Sequence, residues 1–326
     1  MDSTVRALLT AGKGILAADE SFPTIGKRFA KLGVASTEEN RRAYRDMLFT
    51  TPGLEEFISG VILFDETLRQ KTSGGVAFPE HLAGRGIVPG IKVDLGAADL
   101  PGFPGEKFTQ GLDGLRERLA EYRKLGARFT KWRAVIAIGE GLPTPAALET
   151  NAGSLALFAA LCQEAQLVPI VEPEVLMDGD HSLERCEEVT AATLRVVFAA
   201  LARQGVQLKS MLLKTGMVLP GKEHRRQGST AEIAAATVRC LRRAVPAAVP
   251  GVVFLSGGQS PSEATERLEA ICAAGTNPWA LSFSFGRALQ DPAMAAWKGA
   301  RENVGAGQTA LRETAAANHR AILAAK

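Results

Sequence analysis

The chain has 326 residues, of which 46% are apolar and 22% are charged, and its formal net charge is +3. This composition is ordinary for a globular protein that builds a large core. The small net charge does not favour nucleic acid or a membrane surface as a partner. The N-terminal residues lack the apolar stretch of a signal peptide, and no apolar run approaches the roughly 20 residues that cross a bilayer, so we expect a cytoplasmic protein without a membrane anchor.

Short apolar runs alternate with helical patterns along the whole chain, after a helical lead-in at 5–10. The predicted strands are 15–21, 60–64, 89–94, 128–136, 167–174, 208–214, 252–258 and 279–287. The predicted helices are 36–47, 112–126, 145–165, 182–204, one beginning at Ser229, one beginning at Ser260 and a C-terminal helix. Ser36, Ser229 and Ser260 each precede a glutamate by three positions, which is the spacing of a capping box.

The eight strands separated by helices predict a single (β/α)₈ TIM barrel over residues 1–326, with no linker or composition break to divide it. An open, doubly wound sheet is the alternative fold. The count of eight strands favours the barrel.

In a barrel, the side chains at the C-terminal ends of the strands converge on one mouth. Here they are Asp19, Lys92, Lys131, Arg133, Glu172, Glu174, Lys214, Ser256 and Arg287. Taken alone, each is adequately explained as part of a structural ion pair, and Lys214 as a cation at the end of a buried strand. The convergence of so many titratable groups instead favours a functional site.

Two chemistries are indicated at this mouth. Lys131 and Lys214 are expected to lie near each other, and a neutral lysine can form a Schiff base with a carbonyl compound. Asp19, Glu172 and Glu174 can then serve as general acids and bases. The glycines after the seventh strand and the Gly286-Arg287 pair after the eighth offer backbone N–H groups and a guanidinium to a phosphate.

The remaining candidate sites are weaker. The four cysteines are scattered without ligand spacing and are expected to be buried free thiols. The histidines lie in separate contexts and form no ligand cluster, so we expect no metal and no cofactor: His81, His181, His224 and His319. The basic cluster 222–226 is interpreted as a solvated loop.

Nine motifs occur in the order found in one known family. They are 14–21 (GILAADES), 37–42 (TEENRR), 60–64 (GVILF), 90–94 (GIKVD), 109–115 (TQGLDGL), 131–133 (KWR), 171–174 (VEPE), 255–259 (LSGGQ) and 285–290 (FGRALQ). Through them the chain resembles class I fructose-bisphosphate aldolase up to about Asn303. The resemblance implies reversible cleavage of fructose 1,6-bisphosphate to dihydroxyacetone phosphate and glyceraldehyde 3-phosphate in glycolysis and gluconeogenesis. It also implies a metal-independent homotetramer.

The same resemblance implies residue roles. Lys214 would form the Schiff base, Glu172 would be the acid and base of that step with Glu174 beside it, Asp19 would take the C4-hydroxyl proton, and Lys131 would support charge in the pocket. The residues implied for the C1 phosphate are Ser256, Gly257, Gly258, Ser284, Gly286 and Arg287. Those implied for the other phosphate end are Ser21, Thr24, Arg28, Lys92 and Arg133.

The chain also departs from the family's pattern. Phe22-Pro23 replaces the usual Thr-Gly, Leu95 and Ala137 stand where many relatives carry lysine, and Thr215-Gly216 replaces Pro-Asn after the nucleophile. The changes near Phe22 and Leu95 leave open another phosphorylated ketose as substrate. A non-catalytic barrel scaffold is a further alternative, against which the retention of every candidate catalytic residue argues. The terminal tyrosine of animal members is expected to be absent, since the two tyrosines are Tyr44 and Tyr122. Proton exchange at the enamine would then use water or another group.

Overall fold

The computed structural model describes residues 1–324 and contains a closed barrel of eight parallel strands. The barrel strands are β1 (Gly14–Ala18), β2 (Ile58–Leu63), β3 (Val88–Lys92), β6 (Phe129–Ile136), β7 (Val168–Val175), β8 (Leu212–Thr215), β9 (Gly251–Phe254) and β10 (Ala280–Phe285). They pair in the order β1-β10-β9-β8-β7-β6-β3-β2, and β2 pairs again with β1. The predicted TIM barrel is therefore confirmed, and the open-sheet alternative is wrong.

Two further strands form a small hairpin that sequence reading missed. They are β4 (Ala97–Asp99) and β5 (Lys107–Thr109), paired antiparallel after β3. The buried Glu106 ties this hairpin to the start of the helix Pro145–Glu164, because its carboxylate accepts from both the N–H (2.7 Å) and the hydroxyl (2.5 Å) of Thr144, the N-cap of that helix. Each strand is three residues long, too short to show a period of two in the sequence.

Twelve α-helices cover the described chain. They are α1 (Asp2–Leu8), α2 (Phe22–Ala30), α3 (Glu38–Phe49), α4 (Asp65–Arg69), α5 (Phe78–Gly84), α6 (Leu115–Lys124), α7 (Pro145–Glu164), α8 (Leu183–Arg203), α9 (Thr230–Ala244), α10 (Pro261–Ala273), α11 (Arg287–Trp297) and α12 (Val304–Leu323). The N-terminal lead-in and the C-terminal helix are both present, as α1 and α12. Within residues 1–324, no helix combines the length and the apolar character that a membrane crossing requires.

The serine caps are confirmed at two helices and wrong at the third. Ser229 and Ser260 form full capping boxes with the glutamates three residues later. At α3 the N-cap is Thr37, whose hydroxyl accepts from the N–H of Asn40 at 3.2 Å. Thr37 is the residue with the extended backbone that an N-cap requires, and the carbonyl of Ser36 is instead bonded by Arg41 at 2.5 Å.

The strand that ends near Lys214 is shorter than predicted. Only Leu212–Thr215 is a strand, and Leu208–Ser210 forms a turn of 3₁₀ helix. The apolar pattern does not distinguish the two, because Leu208 packs against the core from the turn as it would from a strand. The strands β9 and β10 also end earlier than predicted. Gly257 therefore lies in a loop, and Arg287 is the first residue of a helix.

Inward-facing apolar side chains fill the barrel up to the mouth at the C-terminal ends of its strands. One apolar cluster contains alternate residues of six strands together with Val5 and Leu8 of α1: Ile15, Ala17, Ile62, Phe129, Val168, Ile170, Leu212 and Val253. A second, larger cluster packs the opposite faces of the strands against the surrounding helices. Because α1 contributes to the inner cluster, the N-terminal end of the barrel is closed by apolar side chains.

The Phe129 ring needs glycine on neighbouring strands. A methyl group at Gly90 would overlap this ring, and one at Gly60 would lie 3.2 Å from it. Phe129 is fully buried, so the ring has no free space into which it could move. Glycine at these two positions therefore gives the largest side chain of the inner cluster its volume.

We predict that Gly90→Ala destabilises the protein by about 1–3 kcal/mol, since overpacking a full core forces neighbouring side chains from their rotamers. Urea unfolding measures the change. Gly84→Ala, in a helix with no atom within 4 Å of the added methyl, is the matched control and should be neutral or slightly stabilising. Equal stability of Gly90→Ala and the native protein would contradict this packing argument.

Candidate active site

Strand periodicity places three charged residues in one layer of the barrel. Side chains alternate between the two faces of a strand, so a residue two positions after an inward-facing one also faces inward. Lys131, Glu172 and Lys214 each follow an apolar residue of the inner cluster by two positions, namely Phe129, Ile170 and Leu212. They lie on the consecutive strands β6, β7 and β8 and are all buried. The charged layer therefore rests directly on the apolar filling.

The Glu172 carboxylate lies between the two lysines. Its Oε1 is 3.1 Å from Nζ of Lys214, and its Oε2 is 3.4 Å from Nζ of Lys131. The predicted proximity of the two lysines is thus realised through a shared carboxylate. Such an arrangement can exchange a proton with Lys214 while the second oxygen stays near a fixed cation.

Asp19 completes the layer from the end of β1. Its Oδ2 is 2.7 Å from Nζ of Lys131. Burial would raise the pKa of Asp19, but the ammonium groups of Lys131 and Lys214 outweigh it and lower that pKa to about 2. Burial likewise opposes the charge of Lys131, and the carboxylates of Asp19 and Glu172 outweigh it and raise the pKa of Lys131. Both groups of this pair are charged at neutral pH.

Glu174 and Lys92 bind other partners further up the mouth. Glu174 forms an ion pair with Nε of Arg133, one layer above Glu172. Nζ of Lys92 lies 2.6 Å from Oδ1 of Asp94, a buried carboxylate whose other oxygen accepts from the N–H of Arg133 at 3.3 Å. Asp94 was not predicted as a site residue, although it closes the GIKVD motif; its position between Lys92 and Arg133 was the missing information.

A second group of residues lies at the ends of β9 and β10. Gly257 and Gly258 have φ values of 60° and 94°, a conformation that glycine adopts without strain. The hydroxyl of Ser284 is buried, and no hydrogen-bond partner for it exists within residues 1–324. Gly286 is the N-cap of α11 and has no side chain to cap it, so the first N–H groups of that helix are available to an anion.

The guanidinium of Arg287 reaches back over this loop. A methyl group built on Gly258 would lie 3.3 Å from Nη2 of Arg287. Ser256 is buried in the same loop, where its carbonyl accepts from the side chain of Gln259 at 2.8 Å. Glycine N–H groups, an unpaired hydroxyl and a guanidinium together suit a phosphate.

The residues predicted for the other phosphate end are only partly brought together. Ser21 is the N-cap of α2, and its hydroxyl is 3.2 Å from that of Thr24. Arg28 lies on the same helix, but its guanidinium pairs with Glu20 and, at 2.7 Å, with Asp291. The Glu20 carboxylate was missed from the sequence; it is an acid within the ADES motif whose partners come from α2 and α3, including Arg45 at 2.7 Å.

Comparison with known proteins places the chain among aldolases. Residues 1–325 match the family described as fructose-bisphosphate aldolase class-I. The chain belongs to this family. It is 55% identical to a probable fructose-bisphosphate aldolase class 1 of Xanthomonas campestris pv. campestris, over 98% of this chain and 96% of the relative. It is 52% identical to the cytosolic fructose-bisphosphate aldolase 4 of Arabidopsis thaliana, over 96% of this chain and 80% of the relative.

A solved aldolase also has the same fold. The fructose-bisphosphate aldolase of Plasmodium falciparum, in complex with TRAP and a small-molecule inhibitor, superimposes with a TM-score of 0.97. It is 51% identical and covers 98% of this chain and 93% of its own. In the present chain, within residues 1–324, no three His, Cys, Asp or Glu side chains are grouped to hold a metal ion. Metal independence stays a prediction.

We predict that the Asp19 carboxylate stabilises this aldolase by about 2 kcal/mol at neutral pH, because its pKa is lowered from 3.8 to about 2 on folding. A carboxylate whose pKa is lowered on folding stabilises the folded protein at pH values above its unfolded-state pKa. That contribution is lost as pH falls from about 4 to 2. Urea midpoints of Asp19→Asn and the native protein should therefore differ at pH 7 and converge toward pH 3.

The matched control is Asp99→Asn, which removes an ion pair between Asp99 and Lys107 on the surface and should change stability little at either pH. A difference between Asp19→Asn and native protein that persists undiminished at pH 3 would contradict the lowered pKa.

Proposed function

We propose that this aldolase cleaves fructose 1,6-bisphosphate reversibly, through a Schiff base on Lys214, to dihydroxyacetone phosphate and glyceraldehyde 3-phosphate in glycolysis. Family membership supports the reaction. The observation that carries the mechanism is the Glu172 carboxylate, with one oxygen 3.1 Å from Nζ of Lys214 and the other 3.4 Å from Nζ of Lys131. A buried lysine paired in this way has a partner for each proton that imine formation moves.

Imine formation begins when Lys214 gives a proton to Glu172. The free amine attacks the C2 carbonyl of the open-chain ketose. The carbinolamine forms as Glu172 gives its proton to the carbonyl oxygen and takes one from the nitrogen, so that Glu172 is again protonated. Glu172 then protonates the C2 hydroxyl, which leaves as water, and the protonated imine remains on Lys214. Glu174, held by Arg133 one layer above, is assigned to the same proton transfers.

Bond cleavage follows at the same layer. Asp19, ionised at neutral pH, accepts the C4-hydroxyl proton while the C3–C4 bond breaks. The electron pair of that bond forms the C2=C3 double bond, so that the protonated imine becomes an enamine. Glyceraldehyde 3-phosphate leaves with C4 as its aldehyde carbon. Lys131 remains charged beside Asp19 and stabilises the anionic groups during these steps.

The last steps return a proton to C3 of the enamine and hydrolyse the imine to release dihydroxyacetone phosphate. Tyr44 and Tyr122 are both buried, and the Tyr44 hydroxyl donates to Gln290 at 2.9 Å. Water or another group of the site is therefore assigned to this exchange.

The two phosphates are assigned to opposite sides of the mouth. The C1 phosphate is proposed to bind at Ser256, Gly257, Gly258, Ser284, Gly286 and Arg287. The other phosphate is proposed to bind or be attracted by Ser21, Thr24, Arg28, Lys92 and Arg133. The family resemblance also supports a homotetramer in the cytoplasm. The helices packed around one barrel from α1 to α12 support a single domain over 1–326.

We predict that Lys214→Met lowers cleavage of fructose 1,6-bisphosphate by more than about a thousandfold, because no other group replaces the nucleophile. Borohydride reduction with dihydroxyacetone phosphate should give a stable adduct on Lys214 of the native protein and none in the variant, as read by peptide mass spectrometry. Lys209→Met, at an exposed lysine on the same segment, is the matched control and should keep full activity.

Circular dichroism of the Lys214 variant should match that of the native protein, so that a loss of activity reports on chemistry. The assays are run with and without EDTA, and activity should be the same in both. Absence of the native adduct would overturn the Schiff-base mechanism, and loss of activity on chelation would overturn metal independence.

A different phosphorylated ketose is the second candidate substrate, favoured by two apolar side chains near the mouth. Phe22 is 48% exposed at the start of α2, and Leu95 is 68% exposed after β3. We predict that fructose 1,6-bisphosphate has the highest kcat/KM among it, fructose 1-phosphate and other ketose phosphates, since the site holds cations at both ends. A higher kcat/KM for a monophosphate would instead select the second candidate.

A further inference from the structure

The loop after β8 is fixed against the loop after β7 by main-chain hydrogen bonds. The N–H groups of Gly221, Lys222 and Glu223 donate to the carbonyls of His181, Met177 and Gly179 at 2.8, 2.9 and 3.0 Å. Any side chain at Gly221 would overlap the Gly179 carbonyl, so the two loops pack in backbone contact. Lys222 therefore extends from a well-defined backbone position.

The Lys222 side chain points to the loop after β9 that contains Gly257 and Gly258. A methyl group built on Gly258 would lie 3.5 Å from Nζ of Lys222 and 3.3 Å from Nη2 of Arg287, so both cations approach the same face of one glycine. Two like charges this close to one glycine repel each other, and an anion between them or nearby offsets that repulsion. In the structure, Nζ of Lys222 is paired with Asp178 at 3.0 Å.

That ion pair is a weak one. The side chains of Lys222 and Asp178 are 45% and 69% exposed, so water and salt screen their attraction. Lys222 also borders a surface cavity of about 210 Å³ shared with Gly258 and Arg267, which leaves its side chain free to turn. A phosphate carrying two charges at Gly258 would compete well with a single exposed carboxylate.

Arg226, another cation of the basic cluster 222–226, has different surroundings. Arg226 is 74% exposed and pairs with Glu232 at the start of α9. The solvated-loop interpretation suits Arg226, whereas for Lys222 the structure gives a defined target. The neighbouring sequence therefore offers a control with the same charge.

We propose that Lys222 is a further phosphate-binding residue, which exchanges Asp178 for the C1 phosphate of the ketose held at Gly258 and Arg287. This inference rests on the proposed function. The phosphate concerned is the one on C1, because the loop follows β9, which pairs directly with the Lys214 strand, and C1 adjoins the C2 carbonyl that Lys214 attacks. Lys222 thus distinguishes the ketose half of the substrate from the aldehyde half.

The test measures the aldol condensation with each product varied separately. Lys222→Gln should raise the KM for dihydroxyacetone phosphate about tenfold, the effect of losing one charge-assisted contact, and leave the KM for glyceraldehyde 3-phosphate unchanged. Asp178→Asn removes the same ion pair but keeps the cation, and should lower the KM for dihydroxyacetone phosphate or leave it as it is. Arg226→Gln is the charge-matched control and should behave as native protein.

Two outcomes would overturn the inference. An unchanged KM for dihydroxyacetone phosphate in Lys222→Gln would make Lys222 a surface residue, and an equal rise in Lys222→Gln and Asp178→Asn would show that the ion pair merely holds the loop. Calorimetric binding of dihydroxyacetone phosphate to Lys214→Met, with and without Lys222→Gln, reports on the phosphate contact independently of Schiff-base chemistry. A tenfold loss there supports Lys222 even if borohydride labels no lysine.

Discussion

The shared carboxylate of Glu172 is the interaction on which the rest of the site depends. A buried ion without partners costs several kcal/mol, and the four buried or nearly buried groups Asp19, Lys131, Glu172 and Lys214 balance two cations against two anions. Removal of any one leaves an uncompensated charge. The same balance allows chemistry, because a proton that leaves Lys214 moves to an oxygen already 3.1 Å away and the layer stays neutral.

The barrel supplies the dry surroundings that this charge layer requires. Strand alternation sets Phe129, Ile170 and Leu212 directly below the charged residues, and α1 closes the end beneath them. Glycines at positions 60 and 90 give the Phe129 ring its space. The apolar packing beneath leaves the C-terminal mouth as the side from which substrate approaches, past the loops that carry the candidate phosphate-binding residues.

The strands, the barrel and the convergence of charges at the strand ends were predictable from the sequence, because a period of two and an end position are local patterns. The ion-pair partners of these charged residues were not predictable. Nothing near Arg28 in the chain shows that Asp291 takes its guanidinium, since the pair joins α2 to α11. Lys222 looked like its exposed neighbours for the same reason: its target, Gly258, comes from another loop. The 3₁₀ turn at Leu208 was hidden because buried turns and strands share apolar composition.

The two ends of the mouth hold their cations differently, and this difference bears on selectivity. At the end proposed for the C1 phosphate, Arg287 and Lys222 face a glycine loop, and Lys222 pairs with the exposed Asp178. At the other end, Arg28 is already paired with Glu20 and Asp291, and Arg41 stacks on the Phe22 ring at 4.6 Å while it binds Glu66. A phosphate at that end must compete with these carboxylates for Arg28, and with Asp94 and Glu174 for Lys92 and Arg133. Binding energy should therefore concentrate at the ketose phosphate, next to the imine-forming lysine, where it also orients C2 for attack.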